Sequence, residues 1–244
     1  MSIAPPPTVL RQSNRAGTEV LSLVNGDTLS RPEFERRYNA MPNLKKAELI
    51  EGVVFMPAAL RHDQHGGPHI LISTWLGTYL LATPEIDASD NASVRLDLDN
   101  MPQPDCSLFL PVFAGGTAKL GEDGYFEGAP DLVCEIAASS ASIDMNHKLR
   151  VYRRNGVREY LIWRVLEGAF DWFVLDGGEY VPLAPDQSGV LKSLLFPGLW
   201  LDPGPLLRGE RGKILAALNQ GLASPEHAAF VERLMKGAGG PSTT

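Results

Sequence analysis

One residue constrains this chain more than any other. Glu135 interrupts the run Leu132-Val133-Cys134-Glu135-Ile136, which is otherwise fit only for burial. A segment apolar on both faces belongs in the middle of a covered sheet. A carboxylate there costs several kcal/mol unless it is paired or holds a cation. The preceding major strand begins at Pro104-Asp105-Cys106-Ser107-Leu108. If the two strands pair antiparallel, the start of one lies beside the end of the other, and Asp105 meets Glu135. Asp131 lies four residues back along its own strand, about 13 Å away at about 3.3 Å per residue, so the spacing selects Asp105. Two adjacent carboxylates repel unless a cation intervenes, and an oxygen-rich site without thiolates suits Mg²⁺ or Mn²⁺. The competing reading is an ion pair between Glu135 and an Arg or Lys that merely holds the core. Cys106 and Cys134 alternate out of phase with the two acids and should face the other way as small buried hydrophobes.

The next segment supplies a cation. Residues 140–155 fit a helix stopped by Gly156, with Met145, Leu149 and Tyr152 on one apolar face. Lys148 borders that face and could orient an attacking water or stabilise transition-state charge. Its bland alternative is a lysine whose amine reaches solvent. Arg150, Arg153, Arg154 and Arg158 extend a stretch of five cations with no acid among them. Such a stretch is commonly a solvated face, and it could also be a local phosphate-binding surface. A local one is needed, because the net charge of −7 excludes gripping nucleic acid by bulk charge.

The remaining signals place these residues in an α/β chain. Residues 1–27 read as a loosely held arm. Ser30-Arg31-Pro32-Glu33 opens a short helix that ends before Pro42. The run Glu48-Leu49-Ile50-Glu51-Gly52-Val53-Val54-Phe55-Met56 predicts a strand or tight strand pair. Pro68 opens an amphipathic helix ending before Pro84. Strands follow at 94–98, 105–110, 131–137, 160–164, 170–175 and 180–183, the last two joined at Gly177-Gly178. Residues 215–235 are helical with a break near Pro225. His62, His65 and His69 share a helical spacing that suggests zinc, but Gly66-Gly67-Pro68 interrupts the run and no zincin glutamate follows. No phosphate loop or serine-hydrolase elbow is present. Two cysteines, no apolar run long enough to span a membrane and no secretory pattern make a reducing cytoplasm the expected setting.

The order of these segments carries a resemblance. Glu48-Leu49-Ile50-Glu51-Gly52, His62, Pro104-Asp105, Pro130-Asp131-Leu132-Val133-Cys134-Glu135-Ile136, Lys148-Leu149-Arg150-Val151-Tyr152, Gly156-Val157-Arg158-Glu159-Tyr160 and Phe196-Pro197-Gly198-Leu199 resemble the Uma-two family of restriction-endonuclease-like proteins, in the PD-(D/E)XK nuclease superfamily. The resemblance implies a mixed central sheet flanked by helices with additional C-terminal antiparallel strands and helices. Residues 28–208 would form the nuclease-like domain and 209–244 a helical extension with a disordered tail. By position, Asp105 and Glu135 match the superfamily's metal-binding acids, and Glu48 a further family carboxylate. The superfamily's lysine two residues beyond the second acid is replaced by Ala137, and Lys148 matches the family's lysine. His62 matches a position that contacts phosphate or water, and Arg150 and Arg154 are further candidates for binding substrate. The expected function is Mg²⁺- or Mn²⁺-dependent phosphodiester hydrolysis, foremost by a DNA endonuclease acting as a homodimer. The alternatives are a noncatalytic interaction module that retains the fold, and a small-molecule phosphodiesterase.

Overall fold

Glu51 and Gly52 both adopt left-handed backbone, at φ 51° and 75°. Such a pair turns the chain tightly enough to join strands β1 (Glu48–Ile50) and β2 (Val53–Phe55) as an antiparallel hairpin. The computed structural model describes residues 12–13, 19–56, 61–138 and 140–239. The hairpin packs Leu49 and Val54 against Phe34 of helix α1 (Arg31–Asn39) and against Leu23. Most of the expected N-terminal arm lies outside the described residues. Its last part is held, with Leu23 buried and the amide of Gly26 donating to the carbonyl of Val54 at 2.8 Å.

Six strands form the main sheet: β3 (Asp87–Asp90), β4 (Cys106–Phe109), β5 (Leu132–Ala137), β6 (Glu159–Arg164), β7 (Ala169–Asp176) and β8 (Glu179–Pro182). Their spatial order is β8-β7-β6-β5-β4-β3. Only β5 and β6 run parallel, joined by a helical crossover, so the sheet is mixed. Every residue of β5 is buried, as its composition requires. Leu132, Cys134 and Ile136 face the larger core, with helix α2 (Gly67–Ala82) and the C-terminal helices. Val133 and Ala137 face the crossover, whose Tyr152 packs with Tyr160 of β6. That crossover comprises Ala141–Ile143, a π turn over Asp144–Lys148 and helix α3 (Leu149–Asn155).

Two expectations need correction, and one strand was not foreseen. The strand expected over 94–98 shortens to Val94–Arg95, because Asp97 and Asn100 close a turn. Edge strand β3 is polar, Asp-Ala-Ser-Asp, and carries no apolar alternation by which to find it. Gly66-Gly67-Pro68 does not interrupt the helical run, because both glycines are right-handed helical and Pro68 sits in the first turn of α2. Helices α4 (Ile214–Leu222) and α5 (Pro225–Ala238) place Ile214, Leu218, Phe230 and Leu234 in the main core. The C-terminal helices are therefore part of this core. Among the described residues no helix is long and apolar enough to cross a membrane.

Candidate active site

The ladder between β4 and β5 ends at Cys106 opposite Cys134, one residue short of Asp105 and Glu135. Released from pairing, Asp105 turns its Oδ2 onto the amide of Ile136, which donates at 2.8 Å. The strand phase puts Asp105 and Glu135 on the crossover face, and both line one cleft of about 790 Å³. Glu48, Lys46, His65, Asp144 and Lys148 line it too. Asp131 lies elsewhere, paired with Arg158. The antiparallel arrangement expected from spacing is the one observed.

Four carboxylates meet two ammonium groups here. Lys148 Nζ lies 2.9 Å from Glu48 Oε1, 3.0 Å from Glu135 Oε1 and 3.5 Å from Asp144 Oδ1. Tyr152 donates its hydroxyl to Glu135 Oε1 at 2.8 Å, and the amide of Gln103 donates to Glu48 Oε1 at 2.8 Å. Lys148, Tyr152 and the Gln103 amide thus all approach the two glutamates through Oε1. Asp105 receives His65 Nε2 at 3.1 Å and Lys46 Nζ at 3.2 Å.

Charge balance follows from these contacts. Burial pushes the Glu135 carboxyl up to about 8, because the one ammonium beside it is shared and the other acids repel its charge. Burial also pushes Asp144 up. At Asp105 burial acts in the same sense, but the His65 hydrogen bond and the Lys46 charge outweigh it and hold the carboxyl well below the usual range. Burial acts to lower Lys148, yet Glu135, Glu48 and Asp144 hold it well above its ordinary value. Fully ionised, the four acids would outnumber the two lysines by two charges; burial relieves that repulsion by keeping a proton on Glu135 up to about pH 8, and a divalent cation would take that proton's place. An oxygen-only donor set suits Mg²⁺ or Mn²⁺, so the residues fit the ion that the sequence implied.

The structure redistributes the other candidates. His62 is exposed and lines a separate depression of about 440 Å³ with Trp163 and Leu206. His65 reaches Asp105 instead, because residues 62–66 form a π turn in which the Gly66 amide bonds the carbonyl of Arg61. That wider turn shifts the helical phase on which the histidine spacing was counted. Arg150 and Arg154 stand outside the cleft, at 3.0 and 3.5 Å from Glu51, and Arg154 is 3.6 Å from Asp97. Arg153 pairs with Glu179. All five cations of the basic stretch thus have acidic partners from elsewhere in the fold. Lys46, Asp144 and Tyr152 were not foreseen as site residues, and His65 was weighed only as a zinc ligand. Only Asp144 left a sequence signal, an acid one helical turn before Lys148.

A family model described as Uma2, "Putative restriction endonuclease", matches residues 31–204. Among solved structures, the crystal structure of a "putative nuclease belonging to DUF820" from Anabaena variabilis is 15% identical, covering 77% of this chain and 97% of its own, with a TM-score of 0.48. No curated protein matches.

Proposed function

The chain belongs to the Uma2 family of restriction-endonuclease-like proteins, and on that footing we propose that its cleft hydrolyses phosphodiester bonds with a divalent cation, DNA being the substrate. The observation that carries this reading is the convergence of four buried carboxylates, Glu48, Asp105, Glu135 and Asp144, on one cleft. Asp105, Glu135 and Glu48 would hold Mg²⁺ or Mn²⁺, which when bound supplies Lewis-acid polarisation of the phosphate and a more acidic water. The chain's own residues do the rest. Lys148, whose side chain is 6% exposed, is enclosed by carboxylates and fixes Glu48 and Glu135 relative to each other. Lys46, at 20%, keeps access to the cleft and is the cation that can meet a phosphate oxygen. His65 orients Asp105. Arg150 and Arg154 would contact the nucleic-acid backbone by exchanging Glu51 for phosphate.

Supercoiled plasmid and a single-stranded oligonucleotide, incubated with Mg²⁺, Mn²⁺ or EDTA, test this directly. The expected result is metal-dependent nicking that is lost in Glu135→Ala. Equal cutting by that variant would place the site elsewhere. A two-fold dimer is the assembly expected of an enzyme cutting both strands, and light scattering reads it.

A second reading has its own support. Glu135 is already ion-paired with Lys148, and the arginines are already neutralised, as a noncatalytic module on this fold would have them. Millimolar Mn²⁺ separates the two readings. It raises the melting temperature if the carboxylates take up the ion and leaves it unchanged if the pair is permanent.

A further inference from the structure

On the opposite face of β4 a different set of donors converges. Asp90 of edge strand β3 lies directly across from Cys106 in the antiparallel ladder, so their side chains share a face. Helix α2 crosses that face and brings His69 and, one turn later, Ser73 over Cys106. His69 Nε2 lies 2.8 Å from Asp90 Oδ1, 3.2 Å from the main-chain oxygen of Asp105 and 4.0 Å from Cys106 Sγ. The ring nitrogen, Asp90 carboxylate and Cys106 sulfur all lie within 4.8 Å of one another. The Asn91 side-chain amide stands 3.3 Å from the same ring nitrogen and 3.2 Å from Asp90 Oδ1, and its main-chain amide donates to the Asp105 oxygen at 3.2 Å, so with Nε2 unprotonated its lone pair and the Cys106 sulfur are both available to a cation. Four-coordinate Zn²⁺, with bonds of about 2.0–2.3 Å, holds its donors about 3.3–3.8 Å apart, a range that falls inside the 2.8–4.8 Å separations found here and that small side-chain shifts would reach.

We infer that His69, Asp90 and Cys106, with the main-chain oxygen of Asp105, form a second metal site that takes a thiophilic transition-metal dication such as Zn²⁺. Sulfur and imidazole separate it from the oxygen-only cleft, since Mg²⁺ does not favour thiolate. Asp90 is 64% exposed at its side chain, which leaves the site open to an ion from solvent. On binding, the Cys106 thiol releases its proton to solvent and ligates as thiolate. The ion would clamp edge strand β3 and helix α2 onto β4, and would hold the peptide of Asp105 from behind while its carboxylate faces the cleft. The site does not depend on the hydrolytic reading.

Co²⁺ is the probe, because its bond to a thiolate gives a near-ultraviolet charge-transfer band that oxygen ligation does not. The full chain, stripped with chelator and kept reduced with a phosphine, is titrated with Co²⁺ and then with competing Zn²⁺. The expected result is one equivalent of thiolate-bound Co²⁺ per chain, displaced by Zn²⁺. Cys106→Ser and His69→Asn lose the band, whereas Cys134→Ser and Glu135→Gln keep it. Asp90→Asn, an exposed change that leaves folding alone, weakens Zn²⁺ at least about tenfold. No thiolate band in the wild-type chain overturns the inference. So does a band that survives in Cys106→Ser, or an unchanged Zn²⁺ affinity in Asp90→Asn.

Discussion

Glu135 and Asp105 occupy one cleft with opposite titration behaviour, and the sign of each has a consequence. Glu135, raised by burial to about 8 from an ordinary 4.5, binds its proton more tightly folded than unfolded. Its contribution to stability is full below about pH 4.5 and is lost as pH rises through about 8. Asp105, held low against its burial by His65 and Lys46, contributes above its ordinary 3.8 and loses that contribution only as pH falls through its depressed value. Calorimetry in EDTA should therefore show the wild-type melting temperature falling between pH 5 and 8.5. Glu135→Gln should show a flatter profile, since the amide does not titrate. The two lysines differ as well. Lys46→Met should lower kcat for plasmid cleavage by about 10²- to 10³-fold while the Mn²⁺-induced thermal shift persists. Lys148→Met leaves three carboxylates without their ammonium and should cost about 3–5 kcal/mol of stability, read by urea unfolding. Glu135 and Asp105 were legible because a charge in an apolar strand and the two-residue strand period are local facts. Lys46 and His65 were not. One comes from the run leading into a hairpin and the other from a π turn, and nothing in their neighbours signals where the fold delivers them.

Helix α4 passes very close to the Phe196–Trp200 turn. A Cβ on Gly221 would lie 2.2 Å from the carbonyl oxygen of Gly198, which itself adopts φ 89°. Gly to Ala within a helix ordinarily stabilises by about 0.5–1 kcal/mol. Gly221→Ala should reverse that sign, and a rise in melting temperature would refute the close approach. Glu159 at the start of β6 shows a related device. Its buried carboxylate accepts from Trp172 Nε1, Ser193 Oγ and the amides of Leu194 and Leu195, tying the turn after residue 192 to the sheet. The crossover helix, β5 and the β7–β8 hairpin were legible from periodicity and from Gly156 and Gly177-Gly178. The π turns were not, because a widened turn is a response to packing and leaves composition unchanged.

Across the whole molecule, the net charge of −7 is locally balanced so that no bare basic face is offered by residues 148–158. Arg150, Arg154 and His147 all turn to Glu51 at the hairpin tip, His147 at 2.7 Å. Glu51→Gln should release them, tightening binding to a DNA duplex and steepening its salt dependence by about one to two units of log–log slope. Fluorescence anisotropy at several salt concentrations reads both. The C-terminal helices belong to the same core, so Leu218→Ala should cost about 2–5 kcal/mol even though it lies beyond the segment shared with the family. By itself the sequence determined which strands are central, that two acids share one sheet face, and which family the chain resembles. These follow from burial pattern and short-range spacing, which any fold of the chain must respect. Only the tertiary structure decided that Lys148 is enclosed rather than free, that Lys46 and His65 attend Asp105, and that the arginines are neutralised. Each is a long-range pairing between elements distant in sequence, and its energy exists only once packing has removed the groups from water.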